Sequence, residues 1–294
     1  MFAPATDRAA RFTYPVLPSS RRWDGRVEAA VGAFVVVNAD GWIVTAAHVF
    51  SVGLQAETDR PKIDEFRAKV DATKADAKLP LAKKNQELRR LERSADPNWI
   101  TAVSYVWGRP GLVVGDLTVI PEADIAVGRL DPFPQEMAAN LPVLKNPTVN
   151  FDPATSLCRL GFPFHKTSAS YDPATNTFNL SGTSLPTLFP IDGIFTRTLD
   201  GGRTSDGKHP LLFVETSSPG LLGQSGGPIY DSRARVWAVQ SRTAHVPLGF
   251  NPTTDVGGKK TVVPQFMNLG VGVHAQTVIS ILADLGVSHE VSPD

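Results

Sequence analysis

Gly223-Gln224-Ser225-Gly226-Gly227-Pro228 is the stretch of sequence that decides the fold. It places one hydroxyl group between glycines, on a backbone too tight for larger side chains. A serine hydroxyl becomes a nucleophile only when a base takes its proton and N–H donors stabilise the oxyanion that its attack on a carbonyl creates. The backbone N–H groups of Gly223 and Ser225 are the predicted donors. Alone, the pattern also fits an ordinary glycine-rich turn, so other segments must decide.

Two further segments offer the partners that such a serine needs. β-rich runs at residues 31–37 and 42–45 flank an Asp-Gly turn and predict a hairpin that leads into Thr45-Ala46-Ala47-His48. Asp124-Ile125-Ala126-Val127 places a carboxylate directly before an apolar strand. A lone histidine is more often structural, and a lone aspartate here is more often a turn residue. Together, however, His48 can act as general base and Asp124 can hold its imidazole.

These three motifs, in the order His, Asp, Ser, resemble the catalytic motifs of the trypsin-like (chymotrypsin-fold) serine proteases. The closest likeness is to the bacterial branch that includes the HtrA/Deg proteases, and it extends from about residue 32 to about residue 285. The resemblance implies a catalytic triad of His48, Asp124 and Ser225, with an oxyanion hole formed by Gly223 and Ser225. It implies a serine endopeptidase, a hydrolase, that works through an acyl-enzyme.

The serine motif also matches the Gly-x-Ser-x-Gly nucleophile elbow of α/β-hydrolases, with Asp255 and His274 as the downstream acid and base. That elbow must lead from a strand into a helix. Here residues 228–231 run into a turn, and residues 236–239 form another strand pattern. The context argues against the elbow.

Two departures from trypsin bear on activation and specificity. The residue before the nucleophile is Gln224 rather than the aspartate that pairs with a newly cut N-terminus, so we expect no activation by N-terminal cleavage. Pro219 stands six residues before the serine, where trypsin has an acidic residue. With Leu221 and Leu222 nearby, an apolar S1 pocket is expected. Following the family pattern, Gln240, Ser241 and Arg242 are expected to pair with an extended substrate, and Gln240 and Arg242 are also candidates for the pocket lining.

A highly charged segment separates His48 from Asp124. Of the 40 residues from 57 to 96, 20 are charged (11 basic and 9 acidic), and none is glycine. Apolar residues recur at helical spacing on either side of Pro80, which predicts an inserted helical hairpin. The simpler interpretation is a solvent-exposed hairpin that packs on the barrel and has no function of its own. The alternative is a docking arm for a protein partner or a lid over the active site.

Composition limits the remaining options. Lys+Arg and Asp+Glu are both 29, so no global basic charge points to nucleic acid, and no apolar run is long enough to predict a membrane partner. Cys158 is the only cysteine, which excludes an intramolecular disulfide. With no signal-peptide pattern, we expect a cytoplasmic location. The histidine spacing predicts no metal site, and we expect no cofactor.

The predicted fold is all-β, with two antiparallel six-stranded β-barrels in the chymotrypsin-like arrangement, a helical-hairpin insertion and a C-terminal helix. Residues 1–22 are expected to form an N-terminal arm. Residues 23–140 are expected to form the first barrel, with the hairpin at about 57–96, and residues 141–294 the second barrel and the C-terminal helix. Because the sequence ends eight residues after Gly286, we expect no PDZ domain of the kind that HtrA proteins carry. The alternative function is a protease-fold binding or signalling module, dormant until a partner engages the insertion.

Overall fold

The computed structural model describes residues 2–149, 151–165, 167–181 and 186–294. Within these ranges the chain forms four α-helices, three short 3₁₀ helices and nineteen strands. None of the described helices combines the length and the apolar composition needed to cross a bilayer. The α-helices are α1 (Ala3–Ala10), α2 (Ser51–Ala75), α3 (Leu81–Ser94) and α4 (Ala275–Asp284), and the 3₁₀ helices are Ala47–Phe50, Pro121–Ala123 and Gln135–Ala138.

The first barrel is a seven-stranded antiparallel sheet. Six strands follow one another in the order β5-β1-β3-β4-β7-β6, and β2 adds to the second half of β1. The strands are β1 (Thr13–Arg22), β2 (Val27–Ala29), β3 (Gly32–Val36), β4 (Trp42–Thr45), β5 (Ile100–Trp107), β6 (Val113–Ile120) and β7 (Ile125–Asp131).

The second barrel closes on itself, because its six main strands pair in the ring β14-β9-β12-β13-β18-β15 and β15 returns to β14. β8 and β19 extend this sheet by short parallel pairings. Two separate hairpins, β10-β11 and β16-β17, complete the strand set. The strands are β8 (Val143–Leu144), β9 (Ser156–Gly161), β10 (Ser168–Asp172), β11 (Thr177–Ser181), β12 (Phe189–Arg203), β13 (Pro210–Thr216), β14 (Pro228–Tyr230), β15 (Arg235–Pro247), β16 (Thr253–Val256), β17 (Lys259–Val262), β18 (Phe266–His274) and β19 (Glu290–Val291).

Strand periodicity distributes the apolar side chains between two cores. In the fully buried β3, Phe34 and Val36 pack inside the first barrel, whereas Val35 joins the cluster that extends into the second barrel and α4, as does Val37 just after the strand. Alternate side chains of a strand point to opposite faces, so one strand contributes to both layers. The prediction of an all-β fold with two antiparallel barrels, a helical-hairpin insertion and a C-terminal helix is confirmed.

The N-terminal segment differs from the expected extended arm over residues 1–22. Ala3–Ala10 is helical, and Thr13–Arg22 is a core strand of the first barrel, paired with β3 and β5. Pro15 and Pro18 lack the N–H that a central strand needs, which favoured a loop interpretation. The strand nevertheless forms because Val16 is fully buried between its neighbours. The boundary between the barrels near residue 140 remains a proposal.

The insertion begins earlier than expected, at Ser51, immediately after the 3₁₀ helix that carries His48. Its inner end is anchored by the buried Asp59, whose carboxylate accepts hydrogen bonds from the Ile100 N–H (3.1 Å) and from Lys62 (3.1 Å). The ring of Phe66 packs between those of Trp23 and Trp99. These contacts fix the inner half of α2 on the barrel.

The outer helix of the insertion is almost free of such contacts. No residue of α3 is buried within the described chain, and Leu81 is 73% exposed. The apolar positions that predicted α3 therefore form a thin stripe rather than a core. Within the described residues, the buried contacts that hold the hairpin to the barrel come from α2.

A buried histidine joins the second barrel to the C-terminal helix. His274 ends β18 and caps α4, because its Nδ1 accepts a hydrogen bond from the Gln276 N–H (3.0 Å). Its ring stacks on Phe151 at 4.2 Å between centroids. Burial lowers the pKa of His274 to about 4. Gly286 follows the helix at φ +67°, as expected of its stop.

This histidine should make the protein less stable in acid. An unfolded histidine has a pKa of about 6.5, so between pH 6.5 and 4 the unfolded chain binds more protons than the folded one. The free energy of unfolding should therefore fall by about 3 kcal/mol from this group as the pH drops through that window. Chemical denaturation should show a weaker pH dependence for His274→Asn, which keeps a capping side chain. Equal pH dependence in the two proteins would contradict the assignment.

Candidate active site

His48 lies on the 3₁₀ helix Ala47–Phe50, directly after β4. Thr45, the last residue of β4, donates its hydroxyl to the Ala33 carbonyl (2.7 Å) and so holds the strand end against β3. The imidazole is 47% exposed and borders the cleft, while Val49 and Phe50 beside it are buried. A rigid support of this kind is what a general base requires.

Asp124 meets both the backbone and the ring of His48. Its carboxylate accepts hydrogen bonds from the His48 N–H (3.0 Å) and contacts Nδ1 at 3.0 Å through both oxygens. The backbone of Asp124 adopts the left-handed conformation, with φ +52°, at the end of the 3₁₀ helix Pro121–Ala123. A non-glycine residue there is strained, and such strain concentrates at functional sites.

The charge of Asp124 is set by opposing effects. Burial raises the pKa of its carboxyl group, but hydrogen bonds from His48 and Ser241 outweigh burial, and the net pKa is lowered. Asp124 is therefore ionised at neutral pH. An ionised carboxylate fixes the imidazole with its proton on Nδ1 and leaves Nε2 free to accept a proton.

Ser241 was expected beside the substrate, and its hydroxyl also contacts Asp124. Its hydroxyl donates a short hydrogen bond to the Asp124 carboxylate. The strand is irregular here: the pairing of β15 with β18 shifts between Gln240 and Arg242, which leaves Ser241 as the extra residue of a bulge. The bulge directs this side chain toward the first barrel. Sequence spacing gave no sign of it.

Ser225 lies in a loop pressed against the first barrel. Its carbonyl accepts a hydrogen bond from the Ala33 N–H (2.8 Å). Gly226 has φ +86°, and a Cβ there would lie 2.1 Å from the Ala33 carbonyl oxygen. Glycine is therefore required for this approach. In the described part of the chain, the Gly223 and Ser225 N–H groups donate to no protein acceptor.

Gln224 supports the loop from beneath. It is fully buried; its side-chain oxygen accepts from the Leu221 N–H (3.0 Å), and its amide donates to the Phe189 carbonyl (3.3 Å). A neutral carboxamide here needs no positively charged partner. The departure from trypsin at this position was evident from the sequence, and the structure shows the contacts that the Gln224 side chain makes.

The six residues expected to bind substrate all border one cavity of about 640 Å³ beside His48 and Ser225: Pro219, Leu221, Leu222, Gln240, Ser241 and Arg242. Leu222 is 94% exposed and covers little of it. A second cavity of about 990 Å³ also borders His48 and Ser225, on the side where α2 begins with Ser51 and Val52. Within the described residues, the structure places no cluster of three or more histidine, cysteine or acidic side chains that could hold a metal ion.

The chain belongs to the trypsin-like peptidase family, because the model of the trypsin-like peptidase domain matches residues 32–239. It is accordingly a serine endopeptidase and acts on polypeptide substrates. No curated protein matches the chain.

Similar solved structures include the active form of the Rv3671c protease from M. tuberculosis, at 13% sequence identity and a TM-score of 0.48. The alignment covers 98% of this chain and 87% of that protein. Another is the HtrA-type protease AlgW with a tripeptide, at 13% identity and a TM-score of 0.47. It covers 97% of this chain, which spans 63% of that protein.

Removing the Ser241 hydroxyl should weaken catalysis without loosening the fold. In Ser241→Ala the Asp124 carboxylate loses a hydrogen bond, so its pKa should rise and kcat/KM should fall about tenfold, as for a lost bond to a charged group. Steady-state hydrolysis of a peptide substrate gives the rate, and NMR titration of the carboxyl carbon gives the pKa. Ser170→Ala, on the exposed β10, is the control and should change neither quantity.

Proposed function

We propose that this chain cleaves peptide bonds with a Ser225–His48–Asp124 triad through an acyl-enzyme. One observation carries the proposal: an ionised carboxylate holds His48 through Nδ1 in the cleft that also contains Ser225. The ring's hydrogen bonds within the described chain go to Asp124 alone, so Nε2 is free to take a proton. The described chain therefore shows no hydrogen bond between His48 Nε2 and Ser225 Oγ. Such bonds between base and nucleophile are often long until substrate binds.

The first half of the reaction forms the acyl-enzyme. Ser225 Oγ attacks the substrate carbonyl while His48 Nε2 accepts its proton, and the carbonyl oxygen becomes an oxyanion. The Gly223 and Ser225 N–H groups, which have no protein acceptor in the described chain, can donate to that oxyanion. His48 then gives its proton to the leaving amine as the C–N bond breaks.

The second half releases the product. A water molecule attacks the acyl carbon, His48 accepts the water proton, and the ester bond to Ser225 breaks as the proton returns to Oγ. Asp124 stays ionised and stabilises the imidazolium that forms in each half. The enzyme is restored and one water is consumed per bond cleaved.

Activation by N-terminal cleavage has no role in this proposal. The buried Gln224 is already satisfied by Leu221 and Phe189 and carries no charge that a new N-terminus could neutralise. Three expectations from the sequence remain predictions. They are that the protein uses no cofactor, that it has no nucleic-acid or membrane partner, and that it is cytoplasmic. The single cysteine, Cys158, is free.

A fluorophosphonate probe tests the triad. Wild-type protein should be labelled, and Ser225→Ala and His48→Ala should abolish labelling, since the nucleophile or its base is lost. Asp124→Asn should lower kcat about 10⁴-fold, because the imidazole then takes the wrong tautomer. Ser170→Ala and His289→Ala serve as matched controls. Labelling that survives in Ser225→Ala would contradict the proposal.

The dormant binding module is the second candidate function, and the position of α2 next to the site favours it. α2 starts right after the His48 helix, and Ser51 and Val52 border the larger active-site cavity, so a partner on the insertion has a direct route to the site.

Shortening the hairpin separates the two candidates. Replacing residues 72–90 by a short Gly-Ser linker leaves the anchors Asp59 and Phe66 in place. For a competent protease, the labelling rate should stay within about twofold, because α3 buries no residue among those described. A rate that rises or falls by more than about tenfold would favour the dormant module.

A further inference from the structure

Three buried side-chain polar atoms lack a hydrogen-bond partner within the described chain: Arg159 Nη1, Ser218 Oγ and Gln240 Oε1. All three belong to the second barrel or the segment that leaves β13, and Gln240 borders the 640 Å³ cavity. Buried polar atoms are nearly always paired, so an unpaired group beside a binding cavity points to a ligand.

The arginine is the exceptional member of this set. Arg159 lies on β9 and is 1% exposed. Its Nη2 hydrogen-bonds to the Thr216 hydroxyl, and no carboxylate in the described residues pairs with it. Burial lowers the pKa of Arg159 to about 10, so the guanidinium remains charged at neutral pH. A buried charge without a counter-ion costs free energy that an incoming anion would recover.

The guanidinium occupies the place of a missing side chain. A Cβ on Gly270 would lie 2.1 Å from Nη1 and 2.5 Å from Nη2. Gly270 and Asn268 lie two residues apart on β18 and so share a face of the sheet, opposite Thr243 and His245 of β15. Asn268, Thr243 and His245 all border the cavity. The guanidinium therefore lies against Gly270, on the face of these strands that also borders the cavity.

The surrounding walls fix this arrangement. The Gly270 N–H donates to the Ser218 carbonyl (2.8 Å), and the Thr243 hydroxyl donates to the Gly220 carbonyl (2.7 Å). Gln240 fills the space beside Gly220, where a Cβ would meet its amide nitrogen at 2.2 Å. The Gln240 carboxamide thus lines the cavity beside Gly220, and the charged guanidinium of Arg159 lies against Gly270.

Among the described residues, no acidic side chain borders the cavity, whose lining includes Arg242, His245 and His48. A lysine or arginine side chain would meet only positive or neutral groups there. An aliphatic side chain would leave the Arg159 Nη1 donor unpaired. A carboxylate long enough to reach past Gly220 would supply the missing charge.

We propose that this cavity is an S1 pocket selective for glutamate, with the P1 carboxylate received by Arg159. The proposal rests on the proposed proteolytic function and replaces the apolar preference expected from Pro219, Leu221 and Leu222. Glutamate fits better than aspartate because a longer side chain is needed to reach a guanidinium that does not itself line the cavity. Arg159 is a specificity-determining residue here and takes no part in bond cleavage.

Peptide substrates that differ only at P1 test the proposal. Wild-type kcat/KM should be at least about tenfold higher for Glu than for the isosteric Gln, because only Glu brings a charge, and higher again than for Leu or Lys. A Glu-to-Gln ratio of one or less in protein that the fluorophosphonate labels would overturn the pocket assignment alone. Failure of wild type to be labelled would instead count against the proposed function.

Variants assign the selectivity to one arginine. Arg159→Met should fold, since removing an unpaired buried charge is not destabilising, and its Glu-to-Gln ratio should fall to about one. Arg159→Lys should keep part of the preference. Arg233→Met, at an exposed arginine that does not line the cavity, is the matched control and should keep the wild-type ratio. If Arg242→Gln abolishes the preference and Arg159→Met does not, the assignment to Arg159 is overturned. The wild-type Glu and Gln comparison stands even if Arg159→Met does not fold.

Discussion

The carboxylate of Asp124 is the contact on which the rest of the site depends, because it lies where the two barrels meet. From the first barrel it holds both the backbone and the ring of His48, and from the second it receives the hydroxyl of Ser241. An anion in this position needs donors from both sides to offset the cost of its burial. The left-handed backbone of Asp124 is maintained by these contacts, so the proposed catalysis and the docking of the barrels depend on the same bonds.

A second constraint acts on Ser225, the proposed nucleophile. The Ser225 loop belongs to the second barrel but hydrogen-bonds to Ala33 of the first, and Gly226 permits an approach that no side chain would allow. Gln224 fixes the same loop from below. The proposed nucleophile, base and acid are therefore positioned by buried backbone contacts. Such preorganisation is what lets fixed donors stabilise a developing oxyanion.

The sequence predicted the features whose signals are local. The motifs around His48, Asp124 and Ser225 carry their own turn and strand patterns, and the charged insertion shows its helical spacing without glycine. The strand at Thr13–Arg22 escaped prediction because its prolines argue locally against a strand that tertiary burial of Val16 stabilises. The contact of Ser241 with Asp124 depends on a bulge, and the contact of Arg159 with Gly270 depends on packing across the barrel. Neither contact has a signature in residue spacing.

The most direct test of the central claim is to find the acyl group itself. Protein mixed with an ester substrate whose deacylation is slow can be quenched in acid, digested and analysed by mass spectrometry. The account predicts one acyl group on the peptide that contains Ser225, and none after Ser225→Ala. Turnover of the same substrate with Ser225 unmodified, or with the acyl group on another residue, would contradict it.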